Sequence, residues 1–221
     1  MVALQFFQQW SGINAILYFA ASLFERAGAS QETAATVLVT VNAAVLVIGT
    51  FPGMWAVDRE SWGRKRLLVW GAMGMAALHL AVSVFAFSAQ SSPSGTATTA
   101  ALGYGAVASM IMFTFVFSAT WGPVVWVISS EVFSLNFRAQ GTALGTVVNW
   151  SANAMIGKVS PLMTAAWGGW SFMVFSFFCF LGGLWCAFCL VETQGVPLED
   201  MPRVFAEHID RAEPRQETQQ M

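Results

Sequence analysis

Charge is what this chain lacks most. Lys, Arg, Asp and Glu together make up 10% of its 221 residues, where soluble domains carry about 25%. That excludes an ordinary water-soluble domain. The net charge of −2 excludes the basic surface that nucleic acid needs as a partner. Histidine is scarcer still: His79 stands alone in an apolar run and His208 lies in a polar tail. No Ser/His/Asp set and no metal-ligand cluster can be assembled around either, so no enzyme, metal site or cofactor is expected. The three cysteines all fall between Cys179 and Cys189 in one apolar stretch. Cys186-Ala-Phe-Cys189 has the spacing of a redox pair, but no His or acid stands beside it, and it reads as inert apolar side chains. A cleavable signal peptide is not expected, because Met1 runs straight into apolar sequence without a basic segment.

What is abundant is apolar and aromatic. Hydrophobic residues make up 56%, with 19 Phe and 10 Trp. Six runs are long enough to cross about 30 Å of hydrocarbon as helices: 2–24, 34–57, 67–88, 100–130, 141–164 and 169–191. They are too long and too uniformly apolar for barrel strands. The expected fold is an all-α membrane protein in the lipid bilayer, with a polar tail at 192–221 whose Leu198–Ala212 part has the pattern of a short surface helix. Basic residues set the orientation. Four of the ten lie between Asp58 and Arg66, and Arg138, Arg203, Arg211 and Arg215 fall on the same side if the spans alternate. The N-terminus and tail are therefore expected to be cytoplasmic, and the membrane to be the plasma membrane. Lys158 lies inside the fifth run, placed either to snorkel or to face a wet cavity.

The stretch Gly122–Arg138 begins in apolar sequence and ends in charge. Pro123 lacks an N–H and its ring crowds the preceding turn, so Gly122-Pro123 is expected to break the fourth run. The first run is interrupted at Ser11-Gly12. Interrupted helices leading two triplets that enter from opposite sides predict an inverted 3+3 repeat with a ligand site near the midplane. Glu131 lies near the inner end of its run, with Arg138 seven residues on as a candidate partner. No acid lies mid-membrane, because Asp58, Glu131 and Glu192 all fall at the rim.

Gln5, Gln8 and Gln9 share one helix face at i, i+3 and i+4. Asn149 and Asn153 form an i, i+4 pair, and Asn42 stands alone in the second run. Lipid cannot satisfy a carboxamide, and leaving one unpaired costs on the order of a few kcal/mol. Each can be interhelical glue. As a set, with Trp126 and Trp150, they offer the paired donors, acceptors and flat rings that a neutral polyhydroxylated ligand requires.

Gln8-Gln9-Trp10-Ser11-Gly12-Ile13-Asn14, followed by Tyr18, resembles the seventh-helix signature of the sugar porter family of the major facilitator superfamily. Gly122-Pro123, Trp126, Glu131 and Arg138 resemble its tenth-helix motif, and Asn149-Trp150 with Asn153 its eleventh. Asp58-Arg59 with Gly63-Arg64-Lys65 resembles the loop between helices eight and nine, and Glu192-Thr193-Gln194-Gly195 the motif after helix twelve. The wording is most similar to fungal hexose, polyol or quinate carriers. The resemblance implies the C-terminal half of a twelve-helix carrier, helices seven to twelve, transporting a sugar or polyol by alternating access. Its implied partners are the missing N-terminal six-helix half, or a second copy of the chain as a homodimer. Alone, the chain is expected to be inactive.

The same resemblance implies roles. Gln8, Gln9, Asn14, Asn42, Trp126 and Asn149 would bind sugar. Tyr18 and Phe19, with the Gly122-Pro123 hinge, would gate. Asp58, Arg59, Arg64, Glu131, Arg138 and Glu192 would form a cytoplasmic charge network that breaks as a unit on opening. Lys65 and Arg66 read as positive-inside charges only. The chain departs from the family pattern in three places: the loop is two residues longer at Glu60-Ser61-Trp62, Val191 replaces a proline, and Lys158 has no counterpart. The alternative is a non-transporting sugar sensor or a regulatory partner of a full-length carrier.

Overall fold

A computed structural model describes residues 1–16, 30–59, 62–93, 95–133 and 135–197, together with 200, 201, 203–205 and 208. The described residues are helical: α1 (Val2–Trp10), α2 (Gln31–Val57), α3 (Arg64–Ser91), α4 (Ala97–Ala119), α5 (Trp121–Glu131), α6 (Arg138–Trp167) and α7 (Ser171–Cys189), with a short 3-10 turn at Gly168–Trp170. Four stretches are long and apolar enough to cross a membrane, namely Val39–Val57, Arg64–Ser91, Ala97–Glu131 and Arg138–Cys189. The last holds both α6 and α7. The expected first span reaches residue 24; its described part is α1 and a resumed helix at 13–16. Tyr18 and Phe19 lie outside the described residues, as does most of the expected tail helix.

Helix α3 is the centre of the packing. Half of its membrane-length window is buried, against 22% for that of α2. It lies against α4 on one side and α7 on the other, while α2 covers α4 and α1 lies against α6 and α7. The shared core is Leu68, Met75 and Val82 of α3, Phe113 of α4, Trp121 and Ile128 of α5, and Phe172 and Phe175 of α7. In lipid the hydrophobic effect does not draw helices together, so close packing through small residues must do it. The sequence supplies them at the contacts. A side chain on Gly169 would meet Ala86 Cβ at 2.8 Å, and one on Gly183 would meet Ala72 Cβ at 3.0 Å. The outward faces stay apolar: Val47, Ile48, Phe51 and Trp55 on α2, and Leu144, Val147 and Trp150 on α6, are exposed.

Two breaks interrupt the helices. The first follows α1, where Gly12 takes φ of +84°, a value that favours glycine. The second differs from the sequence expectation. The chain leaves helical geometry at Thr120 (φ −130°, ψ −85°), not at Gly122-Pro123, which sit inside the first turn of α5. The reason is the reach of the helix hydrogen bond. Pro123 cannot donate to the carbonyl four residues back, so the ladder fails at Ala119, while its own position in a first turn needs no donor. Gly53 of α2 receives the freed carbonyl, and a Cβ there would lie 2.6 Å from Ala119 O.

Candidate functional site

Five of the carboxamides meet in one network between α1, α5 and α6. Asn149 is its centre. Its Nδ2 donates to Gln5 Oε1 at 2.6 Å and to Gln8 Oε1 at 2.8 Å. Its Oδ1 accepts from Gln9 Nε2 at 2.8 Å. Gln9 Oε1 in turn accepts from Asn14 Nδ2 at 2.9 Å. Gln5 Nε2 donates to Ser129 Oγ on α5 at 3.1 Å. Gln8 Nε2 reaches the carbonyls of Trp121 (2.9 Å) and Gly122 (3.2 Å), just past the second break. Helix α1 presents Gln5, Gln8 and Gln9 on one face because their spacing matches its turn, and all three are buried.

Gln8, Gln9, Asn14 and Asn149 of the sequence-predicted sugar set are thus brought together. Asn42 is not. It lies on α2 and accepts from Thr114 Oγ1 at 2.6 Å, because α2 packs on α4 and not on α1. Trp126 is 39% exposed on the far side of α5 from the buried Val124, Val125 and Ile128, and it donates nothing to the network. Gln5 and Ser129 belong to the cluster, although the set drawn from the resemblance omits both. The i, i+3, i+4 spacing was a sufficient signal for Gln5; nothing local marked Ser129.

Helix α3 braces both breaks beside this network. His79 Nε2 lies 2.7 Å from Ser11 O, and its ring is enclosed by Phe113, Phe172 and Phe175. Trp121 Nε1 donates to Leu68 O at 2.8 Å. His79 is therefore a packed and hydrogen-bonded core residue.

At the other end of α3, Arg64 Nη2 meets Glu131 Oε1 at 2.9 Å, the one ion pair among the described residues. Glu131 Oε2 accepts from Thr193 Oγ1 at 2.6 Å. Glu192 caps α3: its oxygens accept from the backbone N–H groups of Arg64 (2.9 Å) and Lys65 (3.0 Å), where the helix dipole favours negative charge. The same carboxylate accepts from Gln194 N at 3.1 Å. Gly63, at φ +65°, lets it come this close, since a Cβ there would run into Glu192 Oε2. Arg64, Glu131 and Glu192 thus meet as expected, with Thr193 as an unforeseen fourth member.

The other three charges stand apart. Arg138 does not pair with Glu131, whose two oxygens are taken by Arg64 and Thr193. Arg138 Nε and Nη2 are buried without a hydrogen-bond partner. Arg59 stacks on Trp55, its guanidinium carbon 4.0 Å from the ring centroid. Asp58 is exposed at the end of α2 and takes no part in the cluster of Arg64, Glu131 and Glu192.

Comparison with known proteins bears on the family and the fold. The model of the family described as "Sugar (and other) transporter" matches residues 1–205. The chain is 34% identical to the probable glucose transporter rco-3 of Neurospora crassa, over 95% of this chain and 35% of that protein. It is 36% identical to the probable metabolite transport protein CsbC of Bacillus subtilis, over 90% of this chain and 41% of that one. Among solved structures, it superimposes on the proton:xylose symporter XylE bound to 6-bromo-6-deoxy-D-glucose with a TM-score of 0.76 and 29% identity, over 92% of this chain and 41% of XylE. An inward-open XylE from E. coli gives 0.73 and 27%, over 92% of this chain and 40% of XylE. The chain therefore spans about 40% of the length of the proteins it matches. It is a multi-pass membrane protein and not an enzyme, and it belongs to the sugar transporter family of the major facilitator superfamily.

Proposed function

We propose that this chain is the C-terminal half of a carrier that moves a sugar or related polyol by alternating access. Its six spans would form an inverted 3+3 repeat over residues 1–191, with residues 192–221 as a cytoplasmic tail. The observation that carries the reading is the closed carboxamide network around Asn149, placed beside two helix breaks. In that network the amides are satisfied by one another, by backbone carbonyls and by the Ser129 hydroxyl. A sugar hydroxyl is both donor and acceptor, so it can enter such a ring by exchanging one hydrogen bond for another. Gln8, Gln9, Asn14 and Asn149 would make that exchange. Trp126, exposed on α5, would stack on the ligand from the side that the missing half closes.

Alternating access requires two halves rocking about a shared site. That the chain spans about 40% of the length of the proteins it matches supports a partner half. Arg64, Glu131, Thr193 and Glu192 would be the latch that opens on the inner side, with the N-terminus and tail cytoplasmic in the plasma membrane. The sensor alternative is not favoured, since the family and the glucose transporter relative point to transport.

The test is uptake of labelled hexose and polyols in cells lacking their own carriers. The chain alone should give no uptake. Co-expression with a six-helix N-terminal half from a related carrier should restore it, and Asn149→Ala should remove what is restored. Saturable uptake by the chain alone, with a crosslinked dimer, would replace the missing half by a second copy.

A further inference from the structure

His79 and Ser83 stand one turn apart on the same face of α3, inside a stretch long and apolar enough to cross the membrane. An ionisable side chain there calls for a named partner, and His79 has one on one side only. Its Nε2 lies 2.7 Å from Ser11 O, the carbonyl at the α1 break. A carbonyl can only accept, so Nε2 carries the hydrogen and Nδ1 is left as an acceptor. Nδ1 is buried with no hydrogen-bond partner. The ring is walled by Phe113, Phe172 and Phe175, whose side chains have no N–H or O–H to donate.

Ser83 is 1% exposed, and its Oγ has no partner either. Other hydroxyls within these helices are spent on their own backbone. Thr50, Ser109, Ser129 and Thr146 each donate to the carbonyl four residues back. Ser83 makes no such bond, so its donor is free. Helical side chains lean toward the N-terminal turn, which sets Ser83 over His79. Side chains four apart have Cβ atoms about 5–6 Å from each other, a gap that one water can span.

We propose that a single buried water joins Ser83 Oγ to His79 Nδ1. It donates one hydrogen to Nδ1 and accepts the hydroxyl hydrogen of Ser83. Buried waters occupy places where polar groups lack other partners, and they make two to four such bonds. Leaving both groups unpaired is costly, and lipid has no donor to offer Nδ1. Ser83 is thereby a positioning residue. Through the water it holds Nδ1 as the acceptor and keeps the Nε2 hydrogen on Ser11 O, at the break beside the carboxamide network. The site depends neither on membrane orientation nor on sugar transport, and failure of the uptake experiment would leave it standing.

The test is nitrogen-15 NMR of the full chain in lipid nanodiscs, labelled at histidine. The chain has only His79 and His208, so His208→Gln assigns the signals. The His79 Nδ1 signal should lie upfield of a bare imine nitrogen and receive magnetisation from water protons. Ser83→Ala should shift it downfield toward the bare position and reduce the transfer from water. Ser160→Ala should change neither; it removes another buried, unpartnered hydroxyl, but on α6, which packs chiefly on α1. If Ser83→Ala does not fold, the unaltered chain decides: a signal at the bare position, or no transfer from water, overturns the proposal. A shifted signal without transfer would replace the water by a direct bond from Ser83. Transfer from water that Ser83→Ala leaves unchanged would overturn the bridge.

Discussion

Asn149 has no donor left over. Both its N–H bonds and its oxygen are engaged by three glutamines of α1, so one side chain holds α6 to α1. Asn149→Ala would orphan Gln5 Oε1, Gln8 Oε1 and the Gln9 amide. We expect a loss of about 1–3 kcal/mol in stability, read by thermal unfolding in mild detergent. Asn42→Ala is the contrast. It frees only the Thr114 hydroxyl, which keeps a bond to Met110 O at 3.1 Å, so the cost should stay below about 1 kcal/mol. Equal losses would show that the cluster does not act as a unit. The Arg64–Glu131 pair is a second residue-scale test. Its side chains are 14% and 20% exposed, less than a surface pair, and the bond is charge-assisted. A double-mutant cycle should give about 1.5–3 kcal/mol of coupling; a value near zero would reduce the pair to a surface contact.

At the scale of elements, the breaks decide the architecture, and glycines on neighbouring helices make room for them. Gly53→Ala would press a methyl against the Ala119 carbonyl, 2.6 Å away. Overpacking of this kind costs about 1–3 kcal/mol, and lowered thermal stability should report it. Gly157 on α6 has no neighbouring atom within 4 Å. Gly157→Ala should therefore be harmless or stabilising, by up to about 1 kcal/mol from helix propensity. The helices themselves were legible because a long apolar run in lipid has one way to satisfy its backbone. The second break was legible only in part: Pro123 announced it, but the defect falls at its absent hydrogen-bond partner, toward the N-terminus. The glutamine face was readable from spacing alone. The partner of Glu131 was not. A sequence offers Arg138 as the near cation, whereas packing of α3 beside α5 brings in Arg64 from 67 positions away. Asn42 failed for the same reason, since only the pairing of α2 with α4 decides that its partner is Thr114.

For the whole molecule, the outward faces of α2 and α6 are apolar and suited to lipid. We expect hexose uptake only when a six-helix N-terminal half is present, and none from the chain alone, as measured in carrier-deficient cells. The two breaks are not independent of each other in this picture. His79 and Leu68 hold them from a single helix, so a movement that shifts α3 is transmitted to both.

The cap that Glu192 places on α3 also bears on the order of assembly. It joins backbone groups 128 and 127 residues earlier in the chain, while the Arg64–Glu131 pair joins residues only 67 apart. On the ribosome, at roughly 5–20 residues per second, the start of α3 therefore waits roughly 6–26 s for its cap. Through that interval its first N–H groups have no carboxylate, and Arg64 gains Glu131 only about halfway through it. The clasp can close only after the last span has been made.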